Sequence, residues 1–365
     1  SDGRRVTVAW GGLSWARKRI PLAATEDKRE YSDLAYKLGP KPQKAADVAT
    51  VGDVIWLQNE HGVWWLSEKS NIQGAIVTLS ARTGAVLALV GGSSYQHSQF
   101  NRVTQMKRQI GSAGKPFFYS AALDKGFTMA TMMDDEPIEI KKTHDGLVWS
   151  PKNYDNKYRG KVSLRTAIRR SSNMVAVRLL QSIGLPYAIQ YLRRFGFYNI
   201  EDSHGLGLVL GTLEESPLNM AKGYAVFANG GYQIFPHFIK SVSDFHHVYL
   251  FQQNNPVVCH RAIGTLKLAK RVITESNSFL ITKMLSYQYR LMPSPVGKRA
   301  SGYLDSRNNK NILRRYTAKT GTSSHYRDVW YAGYNSKLVT VVWLGFDGGQ
   351  SVGEPASVCA KPIWL

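Results

Sequence analysis

Short apolar runs with strand character stand at both ends of residues 73–345, and nearly everything of helical period lies between them. Residues 75–80, a turn at 81–84 and residues 85–90 read as a hairpin of buried strands. Residues 316–321, 329–334 and 338–345 return to that pattern, the last two joined at Asn335-Ser336. Helical spacing runs over 113–124, 163–170, 173–182, 186–195, 217–228 and 274–289. Strands this far apart imply one sheet assembled from both ends of the segment, which makes the fold class α+β.

Residues 1–72 differ in character and are expected to form a separate small β domain. Five of the nine tryptophans fall there, and short β-type runs (6–10, 54–57, 62–66) flank a polar stretch over 26–44. That pattern suggests a small barrel or half-barrel with one long loop. Trp10, Trp15, Trp56, Trp64 and Trp65 suit the interior of so small a barrel better than a stacking platform for sugars or bases.

Composition narrows the class. No apolar stretch approaches the roughly 20 residues that a bilayer span needs. Two cysteines, Cys259 and Cys359, cannot make a disulfide framework or a Cys-x-x-Cys zinc ribbon. The net charge is +21, and +19 of it falls after residue 70. A field of that sign favours an anionic partner such as nucleic acid, a lipid surface or a polyanionic polymer, although it equally serves solubility. The opening Ser1-Asp2-Gly3 and the apolar close at Ile363-Trp364-Leu365 suggest a fragment of something longer.

Ser112-Ala113-Gly114-Lys115 is the sole Ser-x-x-Lys, and it sits where a helix should begin. Pro116 is tolerated only in a first turn, where backbone N–H groups have no partner inside the helix. Residues three apart share a helix face, so the Lys115 amine is placed to reach the Ser112 hydroxyl and take its proton, provided its own pKa is depressed. Read alone, the same residues fit a helix-capping serine beside a surface lysine. Lys319-Thr320-Gly321-Thr322 adds a strand whose glycine leaves the backbone open to a ligand lying along it. The threonine hydroxyls and the lysine charge would hold a terminal carboxylate, and the backbone N–H groups of Ser112 and Thr322 would form an oxyanion hole. Ser-x-Asn occurs twice, as Ser171-Ser172-Asn173 and Ser306-Arg307-Asn308. The second lies in a polar run that reads as solvated loop. The first joins two helical segments, where Ser171 would relay protons and Asn173 would grip a substrate backbone.

These three elements in this order resemble those of penicillin-binding proteins and class A β-lactamases. The likeness extends to Arg108-Gln109-Ile110-Gly111-Ser112, Lys115 through Leu123, Trp149-Ser150-Pro151-Lys152-Asn153-Tyr154-Asp155, Val162-Ser163-Leu164-Arg165 and Arg327-Asp328-Val329-Trp330-Tyr331-Ala332-Gly333-Tyr334. Residues 73–364 resemble the transpeptidase domain of class A penicillin-binding proteins. Residues 51–56 and 73–75 resemble the junction between an OB-fold-like domain and that domain in 1a-type members.

The resemblance implies a central antiparallel sheet with helices, residues 73–365 as the transpeptidase domain and residues 1–72 as an OB-like domain. It implies a D,D-transpeptidase that crosslinks peptidoglycan stem peptides ending in D-Ala-D-Ala through a serine acyl-enzyme, with β-lactams as covalent inhibitors. The expected catalytic residues are Ser112, Lys115, Ser171 and Lys319, with Asn173, Thr320, Gly321 and Thr322 binding substrate. No metal, organic cofactor or nucleic acid is expected. The chain would be the periplasmic part of a protein anchored in the bacterial inner membrane, without a glycosyltransferase domain. Two departures stand out. Gly114 occupies a position where the family often has a larger apolar residue, which predicts a looser catalytic turn, and Ser323-Ser324-His325-Tyr326 replaces the usual polar run. Other readings are a serine β-lactamase, tempted by Glu215-Ser216-Pro217-Leu218-Asn219, a penicillin-recognising sensor, and a basic nucleic-acid binder.

Overall fold

The computed structural model describes residues 5–9, 17–21, 55–60, 63–67, 72–96, 98–141, 148–200, 202–259, 267–286 and 316–364. The chain divides into two compact units, Ser1–Asn71 and Ile72–Leu365. The first contains two antiparallel ladders, Arg5–Ala9 with Arg17–Pro21 and Trp56–Glu60 with Val63–Ser67. The predicted polar loop at 26–44, Trp10 and Trp15 lie outside the described residues, as do the side chains of Trp56, Trp64 and Trp65.

In the second unit the two ends of the sequence meet in one sheet. Its strands are β1 (Gln73–Ser80), β2 (Val86–Val90), β3 (Thr317–Thr322), β4 (Asp328–Tyr334) and β5 (Leu338–Gly345), in the order β3-β4-β5-β1-β2 and antiparallel throughout. The closing ladder pairs Leu338 with Ser80 and Gly345 with Gln73, 258 and 272 residues apart in sequence. Every residue of β4 is buried. Its side chains alternate between two cores: Trp330, Ala332 and Tyr334 enter the larger, Val329 and Tyr331 the smaller. A strand covered on both faces reads as a continuous apolar run, which is how residues 329–334 look in the sequence.

Among the described residues, six helices fill the larger core: α1 (Lys115–Asp124), α2 (Leu164–Arg170), α3 (Asn173–Ile183), α4 (Leu185–Arg193), α5 (Pro217–Ala228) and α6 (Glu275–Ser286). A short α7 (Ala360–Trp364) covers the smaller one. Helix starts follow local chemistry. Ser163, Ser172 and Ser216 cap α2, α3 and α5 by accepting from the backbone N–H three residues on. Helix α1 is buried from Lys115 through Ala122, so it has no solvent face. Phe117 anchors it, with ring centroids 5.0 Å from Phe195, 4.8 Å from Phe197 and 5.3 Å from Tyr224. Residues 287–289 of the last expected helix lie outside the described residues.

One buried carboxylate ties the segment before α1 to the sheet. Asp328 accepts from Arg108 Nε at 2.9 Å, from Trp343 Nε1 at 3.1 Å and from Ser323 Oγ at 3.2 Å. Trp330 Nε1 donates to the Gln109 carbonyl at 2.8 Å. Removing the carboxylate leaves Arg108 Nε and two further donors without this acceptor, while the guanidinium keeps its hydrogen bond to the Phe346 carbonyl, a loss of roughly 3 kcal/mol by analogy with broken buried ion pairs. Asp328→Ala should therefore lower the urea midpoint of the folded chain by a corresponding amount, whereas Glu275→Ala, whose carboxylate and Arg271 partner are both exposed, should cost clearly less.

Candidate active site

Ser112 does not cap the helix. It lies in a single 3-10 turn, Gly111–Gly114, and the residue that caps α1 is Gly114, with no side-chain hydrogen bond. The capping reading of the Ser-x-x-Lys motif is thereby overturned. The turn is clamped by backbone contacts: Ile110 N donates to the Leu213 carbonyl at 3.0 Å, Gly111 N to the Gly211 carbonyl at 3.2 Å, and the Tyr224 hydroxyl to the Ala113 carbonyl at 2.7 Å.

Glycines allow this approach. A Cβ on Gly321 would stand 2.5 Å from the Ile110 carbonyl oxygen and 2.8 Å from Ala113 Cβ. Gly321 is therefore needed for β3 to seat against the Ser112 turn, and the sequence reading of it as clearance for a ligand is corrected by that contact. Gly111 has φ +52°, and a Cβ there would meet the Thr322 carbonyl at 2.7 Å. The expected looseness at Gly114 is also corrected. The Cδ1 of Ile110 stands 2.8 Å from where a Gly114 Cβ would be, so a neighbouring side chain already fills the space.

Both lysines are fully buried. Lys115 Nζ donates to the Ser171 carbonyl and to Asn173 Oδ1, each at 2.6 Å, with the Ser172 carbonyl at 3.3 Å and Ser171 Oγ at 3.4 Å. Lys319 Nζ donates to Ser171 Oγ and to the Thr320 carbonyl, both at 3.0 Å. The Ser171 hydroxyl thus lies between two amines. Burial and then the neighbouring Lys319 push the Lys115 amine well below its ordinary value, while Asp135 partly opposes them. Burial lowers Lys319 to about 7.

The sequence-predicted residues converge, with three changes of detail. No hydrogen bond joins Lys115 to Ser112 among the described residues, because the amine is held toward Ser171 and Asn173. Lys319 is spent on Ser171 and its own strand, so it is no exposed charge for a carboxylate. Asn173 already holds Lys115 through Oδ1 and donates Nδ2 to the Lys152 carbonyl at 2.7 Å, which leaves one N–H for a ligand. Thr320 and Thr322 are partly exposed on β3, and neither hydroxyl is hydrogen-bonded among the described residues. His325 is exposed, and Ser306-Arg307-Asn308 lies outside the described residues.

Sequence reasoning missed the support behind these groups. Asp135 is buried and accepts from Ser172 Oγ and Asn153 Nδ2, each at 2.7 Å, while Asn153 Oδ1 accepts from Asn173 N at 2.8 Å. Ser171 itself has φ +57°, a left-handed geometry that a non-glycine residue adopts at a cost. Glu215, the tempting general base, is buried in a short ladder opposite Arg108 and accepts from Asn219 Nδ2 at 2.9 Å.

The family profile of the penicillin binding protein transpeptidase domain matches residues 74–351. A Penicillin-binding protein 1A of Neisseria meningitidis is 40% identical over 317 residues, covering 86% of this chain and 38% of the relative. The crystal structure of Penicillin-Binding Protein 1A from Haemophilus influenzae superimposes with a TM-score of 0.76 at 29% identity, over 98% of this chain and 55% of that one. The imipenem acyl-enzyme of penicillin-binding protein A from M. tuberculosis shares the fold, with a TM-score of 0.62 at 20% identity over 80% and 72% of the two chains. The chain spans well under half the length of the Neisseria relative.

Two buried amines make a thermodynamic prediction. The unfolded lysine near 10.5 holds a proton that folded Lys319 releases from about 7 upward. Between those values the unfolded state binds more protons, so stability rises with pH; the gain is complete above the upper value and gone below the lower. Lys319→Met should be more stable than the parent at pH 7 and lose that advantage by pH 10. Denaturant midpoints at the two pH values check this, and a gap that does not change with pH would contradict it.

Proposed function

Since the chain belongs to the penicillin-binding protein transpeptidase family, we propose that it is the peptide-crosslinking portion of a 1A-type penicillin-binding protein, with Ser112 as nucleophile. The observation that carries this reading is the Ser171 hydroxyl between two buried, weakly basic amines. A neutral amine has two N–H groups and one lone pair. The two 2.6 Å donations of Lys115 account for both N–H groups, which leaves the lone pair for the proton of Ser112.

Ser112 Oγ then attacks the carbonyl carbon between two terminal D-alanines as its proton passes to Lys115. The tetrahedral oxyanion lies between the backbone N–H groups of Ser112 and Thr322. The C–N bond breaks, the departing D-alanine amine takes a proton relayed through Ser171, and an acyl-enzyme remains. An amine of a second stem peptide attacks that ester, and Ser112 recovers its proton. Thr320 and Thr322 supply hydroxyl donors for the terminal carboxylate, and the spare N–H of Asn173 holds the peptide backbone. No metal or organic cofactor enters this sequence. A β-lactam follows the first half and stops, because its leaving amine stays tethered. The natural setting is the periplasmic side of the inner membrane, with residues 1–72 as an OB-like unit of the parent protein. Among the described residues no helix is long and apolar enough to cross a membrane.

A β-lactamase needs a base aimed at water, and Glu215 is engaged with Asn219 in its own segment. A sensor would acylate without crosslinking, which a crosslinking assay distinguishes. A nucleic-acid binder would leave the paired buried lysines without a purpose.

Intact mass after incubation with benzylpenicillin should show one adduct that Ser112→Ala loses. Lys115→Arg retains a cation yet cannot accept a proton, so its acylation should fall as far as that of Lys115→Ala, on the order of 100-fold or more. Parent acylation should accelerate as pH rises through the depressed lysine value. The adduct should persist for many minutes, equally in Glu215→Gln; rapid turnover of a chromogenic cephalosporin that Glu215→Gln abolishes would revive the lactamase reading.

A further inference from the structure

Two walls border Ser112. One carries Ser171 and Asn173, with residues 152–154 attached to it through the Asn173 bonds to the Lys152 carbonyl and Asn153. The other is β3 with the turn that follows it, Ser324–Tyr326. Their outer ends touch. The hydroxyls of Tyr154 and Tyr326 lie 2.6 Å apart, and the rings meet edge to face with centroids at 6.2 Å. Tyr154 is 70% exposed, so this contact faces solvent and is no part of the core.

From this bridge, and resting on the function proposed above, we infer that Tyr154 and Tyr326 form a clasp across the entrance to the acyl-transfer site that discriminates acyl donors by the bulk of the side chain next to the scissile carbonyl. A donor lying along β3 must pass between the residue that follows Asn153 and the residue that follows the Thr322 turn, and the bridge spans that gap. Its strand-side half is firmly tethered: Tyr326 N donates to the Ser323 carbonyl at 3.2 Å, the Tyr326 carbonyl accepts from Val352 N at 2.8 Å, and Ser323 Oγ accepts from Asp328 N at 2.9 Å. His325 and Tyr326 are consecutive non-glycine residues with positive φ, +58° and +55°. The turn therefore sits in a conformation its backbone does not favour, and contacts such as the phenol bridge hold it there. The bridge also keeps its proton over the working range, since partial desolvation of the phenol and then the Tyr326 hydrogen bond raise Tyr154 to about 12. Opening requires only one neutral, solvent-facing hydrogen bond to break, which fits a filter better than a permanent wall.

The test compares second-order acylation rate constants for benzylpenicillin and for a penicillin carrying a large fluorophore on its side-chain amide, in the parent chain and in Tyr154→Phe, Tyr326→Phe and Tyr326→Ala. Each Phe variant keeps the ring and loses the bridge. The bulky-to-small ratio should rise about fivefold in either Phe variant, in line with the usual net worth of one such hydrogen bond, and at least as much in Tyr326→Ala. The double Phe variant should match the singles, because they remove the same bond. An unchanged ratio, a falling ratio, or effects that multiply in the double variant would overturn the clasp. Benzylpenicillin labelling at Ser112 is the separate control: its absence from the parent chain would overturn the proposed function, and its retention in the variants shows them folded.

Discussion

Two lysine side chains are taken out of water within reach of one hydroxyl, and much of the larger unit is arranged around that burial. An ammonium is costly in such a place unless an anion answers it. The nearest buried carboxylate is Asp135, but it is committed to Ser172 and Asn153. The fold therefore favours the neutral amines. Burial and the like charge of Lys319 thus agree at Lys115, and the burial depends on α1 being enclosed along most of its length.

That enclosure in turn requires backbones to touch. Gly111, Gly211 and Gly321 bring the Ser112 turn, the segment after Leu210 and strand β3 closer together than any side chain would allow. The Asp328 network holds the other end of the same segment by gripping Arg108 and Trp343. Ser112 is fixed less by its own contacts than by those of its neighbours, from Gln109 to Ala113. The proposed nucleophile, whose hydroxyl makes no hydrogen bond among the described residues while its carbonyl accepts from Lys115 N, still has a defined backbone position, so little of it must be acquired when a donor arrives.

How much of this could be read from the sequence follows from how local each cause is. The helices at 164–170, 173–183 and 217–228 are announced by a serine cap followed by an apolar face. Strand β4 is announced by an unbroken apolar run. The three motifs carry the site because their spacing within each is short and their residue types are uncommon together. Asp135 escaped because Met132-Met133-Asp134-Asp135-Glu136 looks like a solvated acidic run, and only the pairing of Met132–Asp135 with Gly160–Ser163 shows which carboxylate turns inward. Gly114 and Gly321 were misread for the same reason. Which atoms occupy the space beside a glycine is decided by how the chain turns back on it: Ile110, four residues earlier, folds over Gly114, and the Ser112 turn, more than 200 residues earlier, closes on Gly321. The two tyrosines of the clasp are 172 residues apart, and neither has a local signature.

The chain's net charge of +21 and its site now separate into two effects. The most tightly enclosed lysines, 115 and 319, contribute least to the external field, because burial depresses both. The field comes from the remaining, mostly surface, cations and decays within about 10 Å at moderate ionic strength, so it can gather anionic polymer without touching the chemistry. A site that instead relied on an exposed ammonium to hold a carboxylate would have that group fully charged and useless as a base. In the proposed mechanism, recognition on the hydroxyls of Thr320 and Thr322 and basicity on the buried amines remove this conflict. That division of labour explains why the motif lysine of β3 points into the protein, toward Ser171, while the threonines on either side of Gly321 stay partly open to solvent.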